Sequence, residues 1–158
     1  MLEYIFVSNP NEYETAMALF LEYSNWLNID LSFQKFEEEL KILKTMYGIP
    51  FGCIILCKHE NDFVACVAVR KIDDGVAELK RMYVKPEFQR MGIGENLLKM
   101  SISFAKEKGY KTIKLDTLNT MKPAMNLYAK HGFVETSAYY FNPEPTAVYF
   151  ELNAPFTR

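Results

Sequence analysis

The sequence predicts one mixed α/β domain built on a mostly antiparallel sheet, on three observations. The length of 158 residues, with 49% hydrophobic and 24% charged content, fits a single domain that buries its own core. The middle of the chain holds three β-rich runs separated by turn residues, the pattern of an antiparallel meander. Beyond Pro86 the pattern turns to helix, strand, helix, which implies a crossover connection and one parallel strand pair.

Each element has a local reason. Tyr4–Val7 is short and β-prone, and predicts an edge strand. Asn9-Pro10-Asn11 supplies turn and cap residues for a helix whose face is Ala16, Leu19, Phe20 and Tyr23. Asp30 or Ser32 can cap a second helix running through Phe33, Phe36, Leu40 and Leu43, which Gly48 and Pro50 end. Phe51–Lys58 and Phe63–Arg70 flank Glu60-Asn61-Asp62 as a hairpin. Asp73-Asp74-Gly75 turns the chain into Val76–Val84, and Pro86 stops that strand. Ile93, Leu97, Leu98, Ile102 and Ala105 trace a helix face that Gly109 closes. Lys111–Asp116 is a short strand, and Met121–His131 a helix closed by Gly132. Phe133–Val134 and Ala147–Leu152 are the final strands.

Composition excludes several classes. A net charge of −2 gives no reason to expect nucleic acid or membrane as a partner. The longest apolar runs, Phe51–Cys57 and Phe63–Val69, fall far short of the roughly 20 residues of a membrane-spanning helix. The opening MLEYIFVSNP has no basic stretch and meets Pro10 early, which argues against a signal peptide. Cys53 and Cys57 share one strand and lie about 13 Å apart, too far to bridge. With Cys66 they read as reduced, buried small hydrophobes of a cytoplasmic protein. His59 and His131 have no partner at ligand spacing, so no metal is expected.

The stretch that carries chemistry is Gln89-Arg90-Met91-Gly92-Ile93-Gly94, followed directly by a helix. Glycines two apart remove side chains where something must approach the backbone. The helix start adds unpaired N–H groups and a positive dipole end, a setting for phosphate. A Walker loop is excluded, because no Gly-Lys-Ser/Thr occurs. A Rossmann dinucleotide unit would explain Asp116, 22 residues after Gly94. It fails elsewhere: its third glycine is Leu97, and seven residues separate Val84 from Gly92 where that turn is tight.

From Val76 to Phe133 the chain resembles the GNAT acetyltransferase superfamily. Gln89-Arg90-Met91-Gly92-Ile93-Gly94 fits its Gln/Arg-x-x-Gly-x-Gly/Ala signature, and Leu79-Lys80-Arg81-Met82-Tyr83-Val84-Lys85-Pro86 looks like the strand before it. Ala124-Met125-Asn126-Leu127-Tyr128-Ala129-Lys130-His131-Gly132-Phe133 looks like the second family motif. The resemblance implies an α+β GNAT fold: a mixed, mostly antiparallel sheet of about six to seven strands with about four helices, splayed between strands four and five. It implies one N-acetyltransferase domain over residues 1–158 that uses acetyl-CoA, releases coenzyme A, and acts on a primary amine of a small-molecule or peptide acceptor. A homodimer is one arrangement common in the superfamily.

By the same resemblance, backbone N–H groups of Arg90, Met91, Gly92, Ile93, Gly94 and Glu95 hold the pyrophosphate beside Gln89. The backbone of Met82, Tyr83 and Val84 pairs with the pantetheine arm, and an N–H near Val84 is the oxyanion donor. Many members carry an Asn seven residues before the motif tyrosine; here that position is Met121, and nearby Asn119 is the substitute.

Charge agrees with this reading. Residues 1–48 carry eight acids against three lysines, a net −5, and residues 79–130 carry eleven Lys/Arg against four acids, a net +7. The positive segment suits a polyanionic donor and the negative one a cationic amine.

Acetyl transfer requires the amine to lose a proton, the thioester oxygen to be stabilised and the thiolate to gain a proton. The resemblance implies that Tyr128, the motif tyrosine, points at the sulfur, and it is the expected acid there, since a phenol is protonated at neutral pH. Glu78 is the expected base, 11 residues before Gln89 as in histone-type members, acting directly or through water. Strict alternation puts Glu78, Lys80 and Met82 on one strand face unless a bulge intervenes. Tyr23, Trp26, Phe33, Gln34, Tyr139 and Tyr140 are the residues expected near the acceptor. A free amino acid, polyamine, aminoglycoside, peptide N-terminus or protein lysine all remain open as that acceptor. The competing function is a non-catalytic acyl-CoA-binding or sensing domain, which would need the phosphate loop but not Tyr128 and Glu78.

Overall fold

A computed structural model describes residues 1–28 and 36–156. Seven strands form one sheet in the order β1-β2-β3-β4-β5-β7-β6. The strands are β1 (Leu2–Phe6), β2 (Cys53–His59), β3 (Asp62–Asp73), β4 (Val76–Val84), β5 (Thr112–Leu118), β6 (Val134–Thr136) and β7 (Ala147–Asn153). The helices are α1 (Pro10–Leu27), α2 (Phe36–Lys41), α3 (Leu43–Met46), α4 (Ile93–Glu107) and α5 (Lys122–Lys130). All neighbouring strands are antiparallel except β4 and β5, which the α4 crossover makes parallel.

The sheet is covered on both faces. Ile55, Cys57, Val67, Val69 and Leu79 face α4 in one core, with Leu97, Leu98 and Ile102. Ile54, Leu56, Cys66 and Ala68 face α1 to α3 in the other, with Leu19, Phe20 and Tyr47. Burial on two faces is why β2 and β3 read as continuous apolar runs rather than alternating ones. The three cysteines are free and buried, and burial pushes the Cys53 thiol up to about 12.

α1 starts as its sequence dictates: the Asn9 side chain accepts from Glu12 N–H at 2.9 Å, and Glu12 Oε1 accepts from Ser8 N–H at 2.8 Å. The single second helix expected through Phe33, Phe36, Leu40 and Leu43 is instead, among the described residues, the short pair α2 and α3. Ile42 breaks it. Its N–H closes a tight turn on Glu39 O at 3.1 Å, its backbone leaves helical geometry (φ −129°, ψ 29°), and its carbonyl restarts the helix by accepting from Met46 N–H at 2.9 Å. The expected caps Asp30 and Ser32, with Phe33 and Gln34, lie outside the described residues.

Two irregularities of β4 shape everything that follows. Cys66 pairs with Tyr83 and Ala68 with Lys80, so three steps on β4 oppose two on β3. This bulge sits at Arg81, whose φ of 58° is left-handed. It corrects the strict alternation: Met82 leaves the side shared by Glu78 and Lys80. Ala77, Leu79, Met82 and Val84 pack toward α4, while Tyr83 joins the α1 side.

The second irregularity is a splay. β4 and β5 are paired only at Val76↔Thr112, Ala77↔Ile113 and Glu78↔Lys114. From there β4 stays with β3, and β5 follows β7 as far as Leu118↔Ala147. The two inner edges diverge and leave ladder groups of Leu79–Val84 without a strand partner on that side.

Candidate active site

The phosphate-loop candidate closes one end of the splay. After β4, Pro86–Phe88 forms a 3-10 turn, and the Gln89 side chain donates to Val84 O at 3.2 Å, tying the loop to the strand end. Arg90 and Gly92 both take left-handed backbone, at φ 72° and 80°. Gly92 caps α4 without any side-chain bond. The first N–H bonded within that helix is Asn96's, to Gly92 O at 3.1 Å. The amides of Ile93, Gly94 and Glu95 therefore point out of the helix start, at the positive end of its dipole.

A groove of about 630 Å³ runs from this loop into the splay. Met82, Tyr83, Val84, Gln89, Arg90, Gly92, Ile93, Gly94 and Glu95 line it, with Trp26, Phe88, Thr120, Met121 and Leu127. Nine residues expected at a cofactor are thus brought together. Met91 is exposed beside them and does not line the groove. Asn119 is also exposed, in the turn after β5, where its N–H donates to Thr146 O at 2.8 Å. It does not line the groove; Thr120 and Met121 hold that position. The Glu95 carboxylate is turned to α5, where Lys130 Nζ at 2.8 Å and His131 Nε2 at 2.7 Å hold it down at about 2.

A recess of about 60 Å³ opens off the groove, with which it shares Leu27, Met82, Leu118, Met121 and Ala124. Its polar walls are Tyr23, Lys80, Arg81, Asp116, Thr117, Tyr128, Asn142 and Glu144. Tyr128 is 5% exposed and packs on Phe133 and Phe150, and burial pushes its phenol well above the ordinary value. Burial also pushes Tyr23 up to about 12. Lys80 is pushed down by burial and by the neighbouring Arg81 charge.

Glu78 does not line the recess. Only 2% exposed, it has both oxygens occupied: Arg70 Nε donates to Oε1 at 2.8 Å and the Tyr139 hydroxyl to Oε2 at 2.5 Å. The carboxylate that does reach the recess is Asp116 on β5. Its Oδ2 accepts from the Tyr140 hydroxyl at 2.7 Å and from Asn142 Nδ2 at 3.3 Å. Burial raises this carboxyl above its ordinary value despite the Tyr140 bond and the Lys80 charge. Tyr139, Tyr140 and Tyr149 pack ring on ring behind the two acids. Tyr23 and Trp26 pack on Tyr83, whose hydroxyl donates to Glu22 at 2.7 Å.

Sequence reasoning missed Asp116, Asn142 and Glu144 as site residues. The available signal was the acid interrupting the Leu115–Leu118 end of a strand, weighed only as a dinucleotide contact.

Residues 20–133 match the Acetyltransferase (GNAT) family. The chain belongs to that family. An uncharacterized N-acetyltransferase of Schizosaccharomyces pombe is 36% identical over 148 residues, covering 92% of this chain and 91% of that protein. The GNAT fold is equally plain: an acetyltransferase of Staphylococcus aureus superposes with a TM-score of 0.80 at 22% identity, covering 97% of this chain and 99% of that one. The PaiA N-acetyltransferase of Thermoplasma acidophilum, whose structure is a complex with coenzyme A, superposes at 0.75 with 19% identity over 97% and 99% of the two chains. As a GNAT domain the chain is of an acyltransferase family. Among the described residues no helix is long and apolar enough to cross a membrane. No group of three or more His, Cys, Asp or Glu there could hold a metal ion.

Proposed function

We propose that the protein is an N-acetyltransferase that moves an acetyl group from acetyl-CoA to a primary amine. The observation that carries this is the β4/β5 splay, with the α4 amides at one end of its groove and the Tyr128 recess off its side. The residues present fit coenzyme A. The amides from Arg90 to Glu95 receive the pyrophosphate, and Gly92 and Gly94 leave the backbone bare there. The free edge of Met82–Val84 pairs with the pantetheine amides in place of a strand. When bound, the thioester supplies an activated acetyl carbonyl.

The chain's own residues then do three things. The N–H near Val84 faces the developing oxyanion. Tyr128, kept protonated by its burial, gives its proton to the departing sulfur. A carboxylate at the recess takes the proton that an amine of pKa near 10.4 carries at neutral pH. Glu78 stands outside the recess, its carboxylate held by Arg70 and by the Tyr139 hydroxyl. The sealed thiols of Cys53, Cys57 and Cys66 suit a reducing cytoplasm.

The test is a thermal-shift series with acetyl-CoA, coenzyme A and NAD(P), followed by thiol release with an amine library. Ligand at a hundred times its Kd stabilises by about 2.7 kcal/mol. Stabilisation by NAD(P) and not by coenzyme A overturns the proposal. Coenzyme A binding with no amine-dependent thiol release assigns a sensing domain instead.

A further inference from the structure

We infer that Asp116 is the residue that receives the acceptor's ammonium group and removes its proton, an inference that rests on the transferase reading above. Asp116 stands on β5 just past the last β4/β5 pair, on the inner wall of the splay. It lines the same recess as Tyr128. Its two oxygens are treated differently. Oδ2 is held by Tyr140 and Asn142. Oδ1 accepts no hydrogen bond among the described residues. The sealed side-chain polar atoms without a partner there are Tyr47 Oη and His131 Nδ1 alone, so Oδ1 is open to the recess. A carboxylate fixed by one oxygen and free at the other is oriented to take a proton. The alternative acid, Glu78, has no free oxygen.

The surroundings suit a base. Lys80, Arg81 and Glu78 of β4, Tyr23 of α1, Tyr128 of α5, Tyr139, Tyr140 and Glu144 of the segment before β7, and Tyr149 of β7 are the titratable groups facing it. Burial leaves the carboxyl more basic than a surface aspartate, as a general base at neutral pH requires.

The step balances. Asp116 Oδ1 takes one proton from R–NH3⁺ and passes it to water. The amine nitrogen forms the bond to the acetyl carbon, and the carbon–sulfur bond breaks. The sulfur leaves with its electron pair and takes the Tyr128 proton. The remaining excess proton on nitrogen returns to the Tyr128 oxygen. One amide, one thiol and one released proton result.

The experiment compares wild type, D116N and D116A. Coenzyme A binding is followed by the fluorescence of Trp26, the single tryptophan, which lines the groove. Thiol release is then measured with ethanolamine, cadaverine, spermidine and Nα-acetyl-lysine from pH 5 to 9. In parallel, the Asp116 carboxyl ¹³C resonance, assigned by its loss in D116N, is followed as cadaverine is added to the coenzyme A complex. We expect coenzyme A affinity within about twofold of wild type, and kcat/KM for the preferred amine reduced at least about 10²-fold. The acidic limb of the wild-type pH profile should vanish in D116N, and the Asp116 resonance should move with cadaverine. D116N activity within threefold of wild type with the acidic limb intact, or an unmoved resonance, overturns the inference and leaves the transferase reading standing. A wild type that neither binds coenzyme A nor acetylates any amine fails earlier, and takes both readings with it.

Discussion

Arg81 Nη2 lies 2.8 Å from Glu39 Oε1, and Arg81 Nε donates to Glu39 Oε2 at 3.0 Å. The two side chains are 3% and 1% exposed, and the guanidinium also rests 5.0 Å from the centre of the Phe36 ring. This bidentate pair pins the residue whose left-handed backbone makes the β4 bulge. The bulge in turn aims Met82 and Val84 at the groove. A contact between α2 and β4 thus sets the geometry of the donor edge.

Glu39→Ala should cost about 3–5 kcal/mol in urea unfolding, because it takes the bidentate carboxylate away from a buried guanidinium. The pair also predicts an acid limit. Burial alone would raise the Glu39 carboxyl, but the Arg81 bonds outweigh it and hold it below its ordinary value. Its folded pKa is therefore depressed. The stability it contributes is present above the unfolded value of about 4.3 and is lost as pH falls through the lower folded value. Wild type should lose stability over that window, and Glu39→Gln should lose less. Parallel acid-unfolding curves for the two proteins would disprove the linkage.

Asp116→Asn should stabilise the fold at pH 7. Here the sign is opposite, since burial raises the folded carboxyl pKa. Between the unfolded value of about 3.9 and the folded one the native state binds more protons, so stability falls as pH rises through that window. Asparagine removes this cost and keeps an acceptor for Tyr140. The melting temperature of D116N should exceed wild type at pH 7, and the gain should shrink below pH 4. A lower melting temperature at pH 7 would show that the carboxylate is stabilising, not a strained functional group.

The fold was largely legible because its signals are local. Ile93, Leu97, Leu98 and Ile102 mark α4 by spacing, and Gly92 and Gly109, both at positive φ, bracket it. What was hidden depends on partners distant in sequence. Nothing near Arg81 announces a bulge; the carboxylate that holds Arg81 there is Glu39, 42 residues away. Glu78 reads as an available strand acid until Tyr139, 61 residues on, is seen to cap it. Asp116 becomes a site residue only through the splay, which no local pattern encodes.

The two loop glycines should separate stability from binding. At Gly92 an added Cβ would meet nothing within 4 Å, but φ of 80° strains any side chain. Gly92→Ala should cost about 1 kcal/mol by urea unfolding. At Gly94 an added Cβ would make only ordinary contacts, 3.8 Å to Leu127 and 3.9 Å to Val84, and would stand in the groove. Gly94→Ala should leave stability unchanged or raised by up to about 1 kcal/mol, because alanine favours the helix. Coenzyme A binding should stay within about threefold of wild type, since the family signature admits alanine at this position, whereas the larger Gly94→Leu should weaken it at least about tenfold, a loss of about 1.4 kcal/mol, by blocking close approach to the amides. Unchanged affinity in Gly94→Leu would mean that the phosphates do not lie over this turn.

Tyr128→Phe tests the acid at the other end of the groove. The substitution keeps the ring that packs at 5.8 Å from Phe133 and 6.1 Å from Phe150, so folding should be intact. Coenzyme A affinity, read from Trp26 fluorescence, should be unchanged, since the phosphate contacts lie at the α4 start. Turnover at saturating substrates should fall by about 10²-fold, the effect of losing one positioned proton donor. The loss should appear in kcat, with the KM for amine little altered, because the proton moves only as the sulfur leaves. The raised phenol also requires that wild-type kcat show no basic limb from Tyr128 up to pH 9. A Tyr128→Phe protein with wild-type kcat would strip the hydroxyl of its role and leave Tyr128 a packing residue of the sheet.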